Sequence, residues 1–194
     1  MRSTLVIRAV LWGWLFAALL VGRFLLLQRL PMPAVQGILA ALTVALLAAY
    51  RLSRNFHSWL VAIDLRWIVL LHVSRFVGFY FIVLYRRGEL PFAFAVPGGL
   101  GDIVVATLAL GLVAIPMPAP MRLRAISIWN VVGLLDILMV VFTAGRLGFA
   151  DSGSMRALTY LPLSLLPTFL VPLIIASHVL IFARVRASDG AQLN

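Results

Sequence analysis

The sequence contains neither cysteine nor lysine, and it has few charged residues of any kind. Without cysteine the chain cannot form disulfides, thiolate metal sites or iron–sulfur clusters. Without lysine it cannot form a lysine imine with retinal or with another carbonyl compound. Charged residues make up 11% of the chain, against about a quarter in a soluble domain. These shortages exclude a water-soluble globule.

Apolar residues dominate instead. They account for 63% of the 194 residues, and the mean hydropathy is +1.09. Several apolar stretches reach the roughly 18 residues that indicate a membrane-spanning helix. We therefore predict an all-α, polytopic transmembrane bundle of about six helices that forms a single domain over residues 1–194. The predicted spans are 10–27, 34–50, 67–85, 101–115, 125–144 and 160–183.

The predicted fourth span is irregular. At ~1.5 Å per residue, a helix over 101–115 reaches about 22 Å, which is short of the roughly 30 Å hydrocarbon core. The preceding stretch 91–99 is apolar but contains Pro97, Gly98 and Gly99. This pattern predicts a short or broken fourth helix, or a re-entrant segment covered by protein or by a watery cavity.

The sixth span carries three prolines spaced by five, which predict a bent helix: Pro162, Pro167 and Pro172. Each proline frees the carbonyl four residues earlier, and two of these, at Leu163 and Thr168, lie inside the span. Two interpretations follow. Neighbouring Ser and Thr side chains satisfy the backbone of a bent helix, which is the interpretation we favour. Alternatively, the freed oxygens bind a cation together with the hydroxyls of Ser164 and Thr168.

All 16 basic residues are arginine, and the net charge is +10. Most arginines lie singly or in pairs at the ends of apolar segments, which is typical of topology signals and lipid headgroup contacts. No basic stripe interleaved with aromatics is present, so we expect no nucleic-acid partner. The flanking arginines number eight on one side and six on the other. This bias predicts that both termini lie in the cytoplasm. We expect the protein in the bacterial inner membrane.

Ionisable residues inside the spans are the first candidates for function, because buried charges in a bilayer are costly. Arg75 and Asp136 lie well inside their spans, and we predict that they pair. His72 lies three residues before Arg75 and so shares its helical face. His178 lies about six residues from the cytoplasmic end of its span, at a depth that matches His72.

Other residues complete the candidate site. Asp102 is expected at the outer mouth, at the N-terminus of the fourth helix, where a carboxylate suits the helix dipole. Asn130 is expected to hydrogen-bond between helices, whereas Trp129 is predicted as a membrane-interface residue. Gly133 shares the Asp136 face and would let another helix approach. The candidate ligand- or ion-binding residues are Arg75, Asp136, His72, His178, Asp102 and Asn130.

The two histidines at matched depth also suggest a different cofactor. Neutral imidazoles ligate haem iron, and a bundle of apolar helices provides a dry cleft. An alternative hypothesis is therefore a b-type haem electron-transfer protein held by His72 and His178. Among soluble-enzyme signatures, neither a GxSxG elbow, an HExxH motif nor a nucleotide-binding glycine loop is present, so no catalytic residue is assigned and an enzyme is not expected.

Four stretches carry a family resemblance: RFVGFYF, LPFAFAVPGGLGDI, WNVVGLLDI and LPLSLLPTFLVPL with a following histidine. Together they resemble a set of small bacterial multi-pass membrane proteins without an assigned activity. The likeness covers about residues 72–182. It implies no activity, but it places Arg75, Asp102, Asn130, Asp136 and His178 in the recurrent stretches, which favours one shared polar site.

The leading hypothesis is a small integral membrane protein whose buried polar site binds or moves an ion, a proton or a small molecule across the bilayer. A third possibility, besides transport and haem, is an accessory subunit of a larger membrane complex. Its partners would be other membrane subunits or further copies of the chain. Its polar residues would then hold helices together.

Overall fold

The computed structural model describes residues 2–192, and the side chains of residues 3–187. These residues form helices joined by short turns, without a β-strand in the described part of the chain. The α-helices are α1 (Arg2–Arg23), α2 (Met32–Leu52), α3 (Arg54–Ala62), α4 (Leu65–Leu70), α5 (Gly78–Arg86), α6 (Phe92–Ala114), α7 (Ala119–Ala150) and α8 (Val171–Gln192).

Six helical segments are long and apolar enough to cross a membrane, which confirms the predicted all-α bundle of six spans. They are Ser3–Arg23, Met32–Leu52, Leu65–Arg86, Phe92–Ala114, Ala119–Ala150 and Leu166–Ala187. Large apolar side chains remain exposed along them, among them Trp12, Phe16 and Phe142. An exposed apolar surface of this kind suits a protein surrounded by lipid.

The chain divides into two compact units, and each is described by itself. The first comprises residues up to Ala62 together with Ala144–Leu173. Here the indole Nε1–H of Trp14, on α1, donates to the carbonyl of Thr168 at 2.9 Å. The Trp14 ring also packs edge-on against Phe169, with the centroids 4.7 Å apart.

The last spanning segment begins later than predicted. Residues 160–165 form turns, a π-helical stretch follows over Leu166–Leu170, and α8 begins at Val171. The carbonyl of Leu163 accepts from the Leu166 amide at 2.9 Å, and Trp14 satisfies the carbonyl of Thr168. Both freed oxygens thus have donors in the protein, so the structure favours the irregular proline-containing helix over a cation site at these carbonyls.

The basic segment 51–58, which lies between the second and third predicted spans, is largely helical. Helix α2 extends to Leu52 and α3 begins at Arg54. The Ser53 hydroxyl accepts from the amide of Phe56 at 3.3 Å, as a capping side chain does at the start of a helix. Sequence hydropathy missed α3 because a short polar helix lacks a long apolar run.

The second unit comprises Ile63–Thr143 and residues from Ile174 onward. Its first span begins at α4, where the Asp64 carboxylate accepts from the Arg66 amide at 2.8 Å and caps the helix. A 3-10 helix over Leu71–Val77 then joins α4 to α5. Since 3-10 helices rarely exceed three or four residues, this seven-residue stretch is unusual. It carries both His72 and Arg75.

The fourth spanning helix is longer than predicted. Helix α6 runs without interruption from Phe92 to Ala114 and includes Pro97, so the expected short or re-entrant segment does not occur. Pro91 directly precedes the helix, where a missing amide hydrogen costs no helical bond. Pro97 lies only one and a half turns further on, so it removes one backbone bond near the helix end rather than at its centre.

Candidate functional site

Arg75 is the centre of a buried polar cluster in the second unit. Its Nε donates to Asp102 Oδ1 of α6 at 2.6 Å, and its Nη1 donates to the carbonyl of Gly133 of α7 at 2.9 Å. Its Nη2 donates to Asp136 Oδ2, also of α7, which forms the predicted pair. The guanidinium fork thus joins three helical segments through two carboxylates and one carbonyl, a use for which lysine lacks the geometry.

The two carboxylates differ in access, and the difference reverses the expectation from sequence. Asp102 was expected at the outer mouth, yet its side chain is only 4% exposed. The reason is that α6 begins nine residues earlier than predicted, which places Asp102 inside the helix rather than at its start. The side chain of Asp136 is 20% exposed. Asp136 is therefore the accessible carboxylate of the cluster.

Asp136 lines a half-open cavity of about 90 Å³ between α6 and α7. Phe94, Pro97 and Met139 supply apolar walls, and Thr143 is a second residue with a polar side chain. A cavity of this size accommodates a few water molecules. It is far smaller than the 300–1,000 Å³ typical of pockets for drug-sized ligands.

Beside this cluster lie the two histidines that the sequence placed at matched depth. His72 and His178 are fully buried, and their ring centroids are 4.4 Å apart. His72 and Arg75 are three residues apart in the 3-10 helix, so their side chains eclipse on one side of it. The structure therefore brings all six candidate residues into one region of the second unit.

Hydrogen bonds anchor one nitrogen of each imidazole. The Asn130 amide donates to the His178 carbonyl at 3.0 Å, which leaves Asn130 Oδ1 as the acceptor from His178 Nδ1–H at 2.8 Å. The Ser177 hydroxyl donates to the Ile174 carbonyl at 2.7 Å and therefore accepts from His72 Nε2–H at 3.0 Å. A hydroxyl carries only one hydrogen, so these partners determine both tautomers.

Trp129 packs inside the protein, whereas the sequence predicted a membrane-interface residue. Its side chain is buried, and its Nε1–H donates to the carbonyl of Val105 at 3.0 Å. The indole packs edge-on against His72, with the centroids 4.8 Å apart, and lies 5.7 Å from His178. Composition alone does not distinguish an interfacial tryptophan from a buried one. In either position the indole needs an apolar surface and one hydrogen-bond acceptor.

Glycines make room for the polar side chains. A Cβ on Gly101 of α6 would overlap the Asp136 carboxylate, and a Cβ on Gly133 would lie 2.7 Å from Cε1 of His178. The predicted role of Gly133, to let another helix approach, is confirmed. Gly78 and Gly99 face each other at the contact of α5 with α6, where an added Cβ on Gly99 would lie 2.7 Å from the Gly78 carbonyl.

The geometry does not fit a haem held by the two histidines. An iron between two imidazoles lies about 2 Å from each nitrogen, and the porphyrin must fit between the rings. Each ring centroid lies roughly 1 Å behind its ligating nitrogen, so the centroids must be about 6 Å apart. The observed 4.4 Å separation leaves no room for a porphyrin.

The site predicted from sequence lacks three features that the structure shows. They are the Gly133 carbonyl, the Ser177 hydroxyl and the packing of Trp129. A signal was present for Ser177, which directly precedes His178. The Gly133 carbonyl carried none, because its availability to Arg75 depends on how α7 meets the 3-10 helix.

Comparison with known proteins supplies a family. The model of the family described as "Domain of unknown function (DUF8737)" matches residues 32–186. This range contains all four stretches that carried the resemblance, and it agrees with the expectation of a family without an assigned activity. None of the curated proteins and none of the solved structures matches the chain.

Proposed function

The chain belongs to the DUF8737 family, whose description assigns no activity, and we propose a function from the polar cluster alone. The protein binds a small cation at the Asp136 carboxylate and passes it across the membrane. The observation that carries this proposal is one arginine shared by two carboxylates, of which one faces a cavity.

Charge selects the class of ligand. With both carboxylates ionised, Arg75, Asp102 and Asp136 sum to one negative charge. A net charge inside a bilayer is costly, so the cluster favours one additional positive charge and disfavours an anion. The cavity of about 90 Å³ is too small for most organic ligands. A proton or a small metal cation satisfies both conditions.

Position supports movement across the membrane rather than binding at a surface. Asp102 is the eleventh residue of α6, which has 23 residues, so it lies close to mid-span. Asp136 lies 14 residues before the end of α7 at Ala150. Intramembrane carboxylates that face a cavity mark ion and proton pathways in transporters.

The test is cation uptake into liposomes that contain the purified protein. A trapped pH-sensitive dye reports protons, and radioactive sodium or rubidium reports metal cations, under an applied membrane potential. Asp136→Asn keeps the shape of the side chain but removes the surplus charge. We expect it to reduce uptake by roughly tenfold or more, because a contact worth about 1.4 kcal/mol changes affinity tenfold.

The matched control is Glu89→Gln, which removes an exposed carboxylate in the turn between α5 and α6; its uptake should equal that of the unchanged protein. Asp136→Asn should also keep its thermal stability in detergent, since Arg75 retains Asp102 and the Gly133 carbonyl. Uptake no faster than in empty liposomes would contradict the proposal. A lowered melting temperature without any flux would instead indicate that Asp136 only holds helices together.

A further inference from the structure

We infer that the cation is a proton and that it has a second binding place, between Nδ1 of His72 and Nε2 of His178. This inference rests on the proposed function, because it names the ion that the polar cluster takes. It is carried by a separate observation, the arrangement of the two imidazoles.

Each imidazole presents one bare nitrogen. Ser177 accepts the Nε2–H of His72, and Asn130 accepts the Nδ1–H of His178. The remaining nitrogens, His72 Nδ1 and His178 Nε2, are buried and have no hydrogen-bond partner among the residues that the structure describes. In neutral histidines both carry a lone pair, and two lone pairs cannot bond to each other.

One proton resolves this mismatch. If it binds to one of the two nitrogens, that nitrogen becomes a donor and the other can accept from it. The rings are already packed together, with centroids 4.4 Å apart, and an N–H donor normally lies within about 3.2 Å of its acceptor. The bond requires a rotation of one or both rings that brings the two nitrogens within this distance, and the Ser177 and Asn130 anchors limit larger movements.

A metal ion fits this place poorly. Among the described residues, no group of three or more His, Cys, Asp or Glu side chains is arranged to hold a metal. Sodium and similar hard cations also prefer oxygen ligands.

The charges around the pair favour the same ion. Arg75 lies on the same 3-10 helix as His72, Asp102 comes from α6 and Asp136 from α7, while α8 brings His178 itself. With neutral histidines these groups sum to one negative charge. One proton on the pair brings the sum to zero, which is the state a bilayer favours.

Gly133 lies between the Arg75 cluster and the histidine pair. Its carbonyl accepts from Arg75, and a Cβ added to this glycine would lie 3.3 Å from His178 Nε2.

In the binding step, hydronium gives up one proton and leaves as water, while a new N–H bond forms at His72 or His178. No other covalent bond changes. The carboxylate that faces the cavity and the histidine pair thus form two successive acceptors.

Nitrogen NMR on histidine-labelled protein in lipid tests the inference. The chain has only three histidines, and His57→Gln removes the exposed one on α3, which leaves the pair alone in the spectrum. Between about pH 8 and 5, we expect His72 Nδ1 and His178 Nε2 to change together, with one proton taken up per molecule. In the additional variant His178→Gln, this joint change should be lost.

The inference would be overturned if both bare nitrogens kept their signals throughout this pH range. A water molecule that bridges the two nitrogens would give that result. Two histidines that each take up a full proton would also overturn the inference. The two proposals fail separately. If Asp136→Asn abolishes metal-cation uptake while the pair stays unprotonated, the proposed function stands and the proton is excluded. If the pair takes up its proton but liposomes show no uptake, the proton site stands and the proposed transport function is contradicted.

Discussion

At the scale of the residue, Arg75 has the largest number of consequences, because it forms ion pairs with both Asp102 and Asp136. All three nitrogens of its guanidinium donate to acceptors on α6 and α7. A planar fork with five hydrogens matches this set of acceptors, whereas an amide or an ammonium does not. Charge and shape are therefore both required at this position.

We predict that Arg75→Gln lowers stability strongly. Removal of one partner from a buried ion pair costs about 3–5 kcal/mol, because the other charge stays buried without compensation. A lower melting temperature in detergent should report this loss. The double variant with Asp102→Asn should recover part of it, since one of the two uncompensated carboxylates is gone.

The control is Arg87→Gln, at an exposed position after α5, which should melt like the unchanged protein. Equal melting temperatures for Arg75→Gln and Arg87→Gln would show that the cluster contributes little to stability. A double variant that is less stable than Arg75→Gln alone would contradict the electrostatic explanation.

At the scale of the element, glycines determine how closely the helices of the second unit approach. Gly78 is the first residue of α5, and Gly99 lies in the second turn of α6. The backbones of the two glycines are in contact. Small residues at such contacts are typical of packed membrane helices. The close approach of α5 to α6 is also what allows Arg75, just before α5, to reach Asp102.

We predict that Gly99→Ala destabilises the protein by about 1–3 kcal/mol, the usual range for overpacking. The added Cβ would lie 2.7 Å from the Gly78 carbonyl, and backbone cannot move aside as a flexible side chain does. Thermal melting in detergent measures the effect.

Gly111→Ala, in the same helix, is the matched control. Its new Cβ would meet only Ile115 Cδ1, at an ordinary 3.8 Å, so its stability should be unchanged or slightly raised, because alanine favours helix over glycine. If Gly99→Ala and Gly111→Ala have the same melting temperature, a glycine at position 99 is not required for the close helix contact.

At the scale of the whole molecule, six apolar segments and the arginine bias predict an orientation. The turn between α5 and α6 should face away from the cytoplasm, and the connection between α6 and α7 should face the cytoplasm. A sequence without cysteine makes this prediction direct to test, since any thiol that is introduced is the only one in the protein.

We predict that a membrane-impermeant maleimide labels Glu89→Cys in intact spheroplasts, whereas it labels Ala119→Cys only after the membrane is opened. Both positions are exposed in the protein. The reverse pattern would invert the orientation. Labelling of both in intact spheroplasts would show that α6 does not cross the membrane.

Composition and hydropathy determined the class of this protein by themselves. Apolar runs long enough to cross a bilayer must form helices, because lipid leaves backbone groups no other partners. They also identified Arg75, Asp102, Asp136, His72, His178 and Asn130, since polar residues inside such runs stand out. Helix boundaries were less certain, and Pro97 suggested a break where α6 in fact continues.

Only the tertiary structure decided what these residues do to one another. Whether Asp102 or Asp136 reaches the cavity depends on where α6 begins and on how α7 packs against it. Whether His72 and His178 meet depends on which helices are neighbours, and hydropathy carries no information on this. The tautomers depend on Ser177 and Asn130, whose bonds form only once α8 lies against the 3-10 helix and against α7. Contacts between distant segments are a property of packing, whereas the tendency to enter the bilayer is a local property of each segment.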